Sequence, residues 1–236
     1  MLKVENLSAG YGAIRVLWGI SFDIADGEVV AILGGNGAGK STMVRTVCGQ
    51  IKALAGSSVV FNGENLTGCS TRKILEAGIV QIPEGRQLFV GMTVYENLEL
   101  GAFNKETKKH LNDNLEMVYE WFPKLRERSA QLAGTLSGGE QQMVAVARGI
   151  IGMPKLLILD EPSLGLAPNI VDQILRVVKN LARSQGISVM LVEQDVHKAL
   201  KTSDRGYVIE NGNVVLLDTS QNLLNNDLVK KAYLGF

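Results

Sequence analysis

The segment Val29-Val30-Ala31-Ile32-Leu33-Gly34-Gly35-Asn36-Gly37-Ala38-Gly39-Lys40-Ser41 constrains this chain more than any other. Five apolar residues in a row run straight into glycines, the pattern of a strand covered on both faces. A helical stripe follows, with Met43, Val44, Val47 and Ile51. Between strand and helix, Gly34–Ser41 fits G-x-x-x-x-G-K-[S/T], in the context that motif requires. Glycines let backbone N–H groups turn inward around phosphate oxygens, and the helix beginning near Gly39 adds its positive end. The motif predicts ATP held by Gly34, Gly35, Asn36, Gly37, Ala38, Gly39, Lys40, Ser41 and Thr42. Lys40 is expected on the β- and γ-phosphates, and the Ser41 hydroxyl on Mg²⁺.

The rest of the chain repeats the theme of buried strands alternating with helices. Leu156–Leu159 and Ser188–Val192 are short apolar runs, and Ile170, Ile174, Val178 and Leu181 form a helix stripe between them. Leu2–Leu7 alternates as a half-buried strand, Ser8–Gly12 reads as a turn, and Val16–Ile24, Ser58–Asn62 and Ile79–Ile82 as further strands. Gly206–Glu210, Asn211-Gly212 and Asn213–Leu217 spell a β-hairpin. Gln221–Tyr233 reads as one closing amphipathic helix. From about Phe103 to Met153 only helical spacing appears, with Leu111, Leu115, Val118 and Phe122 on one stripe. The pattern predicts an α/β fold with a mostly parallel sheet and a helical insertion. Trp18, Trp121, Met43 and Met143 are expected in the core, and Lys105–Lys109 as a solvated helix face.

Composition narrows the function classes. With 236 residues, 46% of them hydrophobic, the chain has enough apolar material for one large domain. Lys+Arg and Asp+Glu balance at 24 each, which argues against holding nucleic acid. The longest charge-free stretches are eleven residues, as in Val29–Gly39, too short to span a bilayer as a helix. The N-terminus is charged at once, unlike a secretory signal. Cys48 and Cys69 have no metal-ligand spacing, so a reducing, cytoplasmic setting is expected.

Two further motifs carry chemistry. Leu156–Glu161 delivers adjacent carboxylates at a strand's C-terminal end, where such sheets bind ligands. Asp160 is expected to hold Mg²⁺ through water, and Glu161 to activate the attacking water as general base. In Leu136-Ser137-Gly138-Gly139-Glu140-Gln141, Ser137 and Glu140 form an S-x-x-E capping box, and the two glycines permit close backbone approach.

At these residues the chain resembles the nucleotide-binding subunit of an ATP-binding cassette (ABC) transporter, whose signature is LSGGEQ. The resemblance implies a P-loop NTPase (ABC ATPase) fold, with an antiparallel β subdomain and an inserted α-helical subdomain. One domain, 1–236, is expected, in which 1–100 and 154–236 form the core and β subdomain and about 101–153 the helical signature subdomain. It also implies that Leu136, Ser137, Gly138, Gly139, Glu140 and Gln141 meet the ATP of an opposite subunit, and that Tyr11 stacks on adenine. Ile82-Pro83-Glu84-Gly85-Arg86, Asp160–Pro168, Leu191-Val192-Glu193-Gln194 and Ala232-Tyr233-Leu234-Gly235 look like the smaller ATP-binding subunit of branched-chain amino acid importers. A closely similar subgroup serves urea and short-chain amides. The implied partners are a second ATP-binding subunit, identical or paralogous, and two membrane permease subunits. A periplasmic or lipid-anchored solute-binding protein would act through the permease. The implied location is peripheral, on the cytoplasmic face of the membrane. Arg86–Asn97, with Leu88, Phe89 and Met92, is implied to receive a short cytoplasmic helix of the membrane subunit.

Three positions depart from the general family pattern. Glu84 stands where Gln is usual, with Gln87 a weaker stand-in. A carboxylate facing phosphate requires Mg²⁺ or Arg86 between them, so Glu84 is expected to act through the metal. Gln194 stands where His is usual, and His197, three residues later, is expected to be structural or solvent-facing. An amide still hydrogen-bonds phosphate, so Gln194 joins Glu161 and Glu84 as an expected catalytic residue. Ser163-Leu164-Gly165-Leu166 lacks the usual closing Asp of the dimer loop.

Overall fold

The computed structural model describes residues 1–234. Two long strands, β1 (Leu2–Tyr11) and β2 (Ile14–Ile24), open the chain. β3 (Val29–Leu33) leads through the glycine loop into α1 (Lys40–Val47). β4 (Ser58–Phe61) and β5 (Glu64–Asn65) follow, then α2 (Thr71–Ala77) and β6 (Ile79–Ile82). A run of helices comes next: α3 (Val94–Glu99), α4 (Lys105–Lys109), α5 (Leu111–Trp121), α6 (Pro123–Glu127) and α7 (Gly138–Ile151). β7 (Leu156–Asp160), α8 (Pro168–Gln185), β8 (Ser188–Glu193) and α9 (Val196–Thr202) restore the alternation. β9 (Arg205–Glu210), β10 (Asn213–Thr219), α10 (Ser220–Asn225) and α11 (Asp227–Val229) close it, with a π-turn at Lys230–Leu234.

Two sheets result. The first, in order β2-β1-β4-β5, is antiparallel throughout. The second, β10-β9-β3-β8-β7-β6, is parallel except for the β9–β10 hairpin. The continuous apolar runs are explained by burial on two sides. Val29, Ala31 and Leu33 face one core, packed under α7 and α8, while Val30 and Ile32 face another, shared with α1 and the antiparallel sheet. Leu157 and Leu159 against Leu156 and Ile158 divide in the same way. Strand ends are in register, Leu33 beside Glu193, Val192 beside Asp160, and Leu159 beside Ile82. The loops that follow β3, β6, β7 and β8 therefore leave the sheet at one edge.

Several local expectations are corrected by longer-range pairing. Ser8–Tyr11 continues β1 instead of turning, because Ser8 pairs Trp18 and Tyr11 pairs Ile14. Trp18 is 54% exposed, not core. The register skips Gly19, whose φ is +88°, and that bulge reverses the parity of β2, so Leu17 turns inward and Trp18 outward. The Arg15 guanidinium covers the Trp18 ring at 4.6 Å. Trp121 is half-buried against the core, while Met43 and Met143 are fully inside. The helices begin at Val94, ahead of the sequence pattern. The expected closing helix breaks at Asn226, which is extended and caps α11 through its side-chain oxygen. Gly235 of the tail lies outside the described residues.

The Asn211-Gly212 turn is as expected, with φ of +47° and +74°, the mirror-image geometry that twisted hairpins favour. Gly212 has a second reason to lack a side chain. A Cβ there would lie 1.8 Å from the Val16 carbonyl oxygen, where the hairpin seats on β2. Both cysteines are free thiols, and burial pushes Cys48 up to about 12. No helix among the described residues is long and apolar enough to cross a membrane.

Candidate functional site

The glycine loop bounds a cleft of about 550 Å³ lined by Asn36, Gly37, Ala38, Gly39, Lys40, Ser41 and Thr42. Gly34 anchors the loop from below. Its ideal Cβ would fall 2.4 Å from the Ile209 carbonyl oxygen, so no other residue fits. Lys40 is buried at 4% exposure and spans its own loop. Its Nζ donates to the carbonyls of Gly34 at 2.8 Å and Gly35 at 3.2 Å, and lies 3.4 Å from Glu161 Oε1. Such a lysine is a fixed point charge at the cleft floor.

Glu161, Glu84 and Gln194 complete the same cleft, together with Val16 and Leu164. Glu161 sits just past β7 with φ +48°, a left-handed conformation rare for a residue with a side chain. Its Oε2 accepts the Gln194 amide at 2.6 Å. Gln194 is thus held by Glu161, within the cleft the phosphate motif predicts. His197 is exposed on α9, as expected.

Asp160 ends β7 at 5% exposure, and its Oδ1 has no hydrogen-bond partner. Burial, then the charges of Glu161 and Glu84, push its carboxyl up to about 6. An orphaned buried carboxylate oxygen beside two further carboxylates fits a cation. Among the described residues no cluster of three or more His, Cys, Asp or Glu side chains forms a self-sufficient metal cage. The unpartnered Asp160 oxygen fits Mg²⁺, which is commonly bound by one or two carboxylates plus substrate phosphates and waters.

Glu84 lines both the phosphate cleft and an adjoining cleft of about 610 Å³ that contains Asp160, Tyr11, Arg45 and Gln87. Gln87 reaches only the latter of these two, which favours Glu84 as the residue facing phosphate. Arg86 does not stand between Glu84 and the phosphate loop. Its φ is +66°, and its guanidinium turns to the start of α7, donating to Gln141 Oε1 at 3.3 Å. A Cβ on Gly138 would come within 3.0 Å of the same guanidinium. The loop after β6 and the signature helix are therefore in contact within one chain.

Tyr11 is 48% exposed and lines the adjoining cleft, not the phosphate cleft. Its hydroxyl lies 3.5 Å from Thr42 Oγ1 and accepts from Arg45 Nη1 at 3.4 Å. The Thr42 contact, aided by the Arg45 charge, holds that hydroxyl below its ordinary pKa.

The signature forms the capped helix start that its sequence predicts. Glu140 Oε2 accepts from Ser137 N at 3.0 Å and Oγ at 2.7 Å, and Ser137 Oγ accepts the Glu140 N–H. Leu136 is buried, and a Cβ on Gly139 would meet Ile170 of α8 at 3.0 Å. None of the signature residues lines this chain's own phosphate cleft.

Beyond Gln87 lies a cleft of about 330 Å³ that includes Leu75, Phe89, Leu100, Phe103 and Arg148. Phe89 is 54% exposed, while Leu88 and Met92 are half-buried. Arg148 donates to the Gln87 carbonyl at 2.9 Å.

Sequence reading missed Val16 and Leu164 as cleft walls, and it missed the role of Glu193. Glu193 is 3% exposed and accepts two hydrogen bonds from Ser163. The available signal was a carboxylate directly following four apolar residues, Val189–Val192.

A strand–glycine-loop–helix cleft at the edge of a parallel sheet, with a capped signature helix that does not line it, defines an ATP-binding cassette. The chain belongs to the ABC transporter family, whose model matches residues 17–164. It is 47% identical over 235 residues, covering all of both chains, to the high-affinity branched-chain amino acid transport ATP-binding protein BraG of Pseudomonas aeruginosa. It is 33% identical to the probable branched-chain amino acid transport ATP-binding protein LivF of Archaeoglobus fulgidus, covering 100% of this chain and 99% of the relative. Among solved structures, the ADP conformation of MJ1267, an ATP-binding cassette of an ABC transporter, superposes with a TM-score of 0.86. The two are 28% identical, with coverage of 100% and 99%.

Proposed function

We propose that this chain is the ATP-binding and hydrolysing subunit that powers import of branched-chain amino acids through an ABC transporter. The observation that carries the reading is the meeting of the phosphate loop, Glu161, Glu84 and Gln194 in one cleft, beside the orphaned carboxylate of Asp160. The cargo is inferred from the two relatives that act in branched-chain amino acid transport.

In this reading the loop N–H groups and Lys40 bind the phosphates, and Tyr11 supports the adenine. Ser41, Asp160 and Glu84 would hold Mg²⁺, which supplies positive charge at the β- and γ-phosphate oxygens. Glu161 takes the proton of the attacking water, and Gln194 orients its carboxylate. Ser137 is exposed, and its hydroxyl together with the Gly138 and Gly139 N–H groups in the first turn of α7 suits the γ-phosphate held by a second ATP-binding subunit. In the same reading the Phe89–Arg148 cleft receives a short helix of a permease subunit, with the chain peripheral on the cytoplasmic face of the membrane. A solute-binding protein acts through the permease.

The test is Glu161→Gln in the reconstituted transporter. ATP turnover and leucine uptake should both fall about 10²–10⁴-fold, with ATP still bound. Normal turnover would remove Glu161 from the role of base.

A further inference from the structure

Glu193 is a buried titratable group that the reaction as described does not use. It ends β8, in register with Leu33 at the base of the phosphate loop. An apolar residue would finish the strand without the cost of burying a carboxylate, which here is held above its ordinary pKa by burial.

What the carboxylate does is grip one residue twice. Oε1 accepts the Ser163 backbone N–H at 3.0 Å, and Oε2 accepts the Ser163 hydroxyl at 2.9 Å. Ser163 lies two residues beyond Glu161. The turn between them departs from β7 in the left-handed conformation of Glu161, which is strained for a side-chain-bearing residue. The Glu161 N–H donates to the Val192 carbonyl at 2.9 Å, so the same turn is tied to β8 at both ends. The next residue after Glu193 is Gln194, whose amide holds the Glu161 carboxylate.

We propose that Glu193 is a positioning residue: its carboxylate, latched to both donors of Ser163, holds the turn that aims Glu161 into the phosphate cleft. The proposal rests on the reading of Glu161 as general base. The carboxylate presents a separate acceptor oxygen to each Ser163 donor; in Glu193→Gln one of those oxygens becomes an NH2 that can only donate, so the Ser163 hydroxyl loses its acceptor there. The latch also fixes the start of the Ser163–Leu166 loop from inside its own subunit, in a chain that lacks the closing Asp of that loop.

The experiment compares Glu193→Gln, Ser163→Ala, Ser163→Thr and the Ser163→Ala/Glu193→Gln pair in the complete transporter. ATP affinity, KM, kcat and thermal midpoint are measured for each, beside Glu161→Gln. Glu193→Gln is expected to lower kcat at least tenfold, with KM and ATP affinity within about twofold of wild type. Ser163→Ala should lower kcat by less, and Ser163→Thr, which keeps both donors, should recover it. The double variant should be no slower than Glu193→Gln alone, because both act through one latch. The latch is overturned if Glu193→Gln keeps its kcat, if kcat and ATP affinity fall together with the thermal midpoint, or if the two single losses multiply. If Glu193→Gln does not fold, the Ser163→Ala and Ser163→Thr pair decides, and equal kcat in the two overturns the latch. Normal turnover in Glu161→Gln overturns the base reading and the latch together. A slow Glu161→Gln beside an unaffected Glu193→Gln overturns the latch alone.

Discussion

Asn97 offers the sharpest test of how the loop after β6 is held. It is completely buried on α3, and its side chain serves the loop from Phe89 to Thr93. Oδ1 accepts the Phe89 N–H at 3.0 Å. Nδ2 donates to the carbonyls of Phe89 at 3.0 Å, Thr93 at 2.9 Å and, more weakly, Met92 at 3.4 Å. Three good hydrogen bonds at about 1 kcal/mol net each give an expected loss of about 3 kcal/mol for Asn97→Ala. That is a large share of a stability typically near 5–15 kcal/mol. Asn97→Asp is nearly isosteric, yet near neutral pH it turns a negative charge toward three carbonyl oxygens. It should cost more than Asn97→Ala, even though the α3 dipole offsets about 0.5 kcal/mol at this early helix position. The buried carboxyl would have a raised pKa in the native state, which then binds its proton more tightly than the unfolded chain does. Its contribution is therefore present at low pH and lost as pH rises through the raised value. Urea denaturation followed by circular dichroism at about pH 7.5 and about pH 5 reads both effects. The Asp variant should be the less stable of the two at the higher pH and should close the gap at the lower. An Asp variant as stable as wild type at about pH 7.5, or a gap that ignores pH, would refute the reasoning.

Two further outcomes follow from the site and the hairpin. Asp160, raised from 3.8 to about 6 mainly by burial, contributes fully below about pH 4, and that contribution is lost as pH rises through about 6. Asp160→Asn should therefore stabilise the metal-free protein at about pH 8 by up to about 3 kcal/mol, and not at about pH 4. Thermal unfolding in a chelator checks this, and an equal gain at both pH values would contradict it. Gly212→Ala should cost clearly more than Asn211→Ala in chemical denaturation. Both residues are left-handed, with a penalty of about 1 kcal/mol for alanine, but only at Gly212 does a Cβ strike the Val16 carbonyl. Equal losses would show that the close approach relaxes freely.

The sequence alone determined the features whose physics is local. A run of five apolar residues declares a strand buried on two sides, and both cores indeed claim alternate residues of Val29–Leu33. The phosphate loop, the Ser137–Glu140 capping box and the Asn211-Gly212 turn are legible for the same reason. Each is specified by the conformations and hydrogen bonds of residues a few positions apart. What only the tertiary structure decided is which side chains from distant segments meet. Trp18 moved to the surface because a bulge at Gly19 fixed the parity of β2 against β1. Arg86 turned to Gln141, 55 residues away along the chain, instead of shielding Glu84. Gln194 found Glu161, and Glu193 found Ser163, because β7 and β8 are adjacent and in register at their ends. Strand order and register set these pairs. They depend on the packing of the whole sheet, so no window of the sequence contains them.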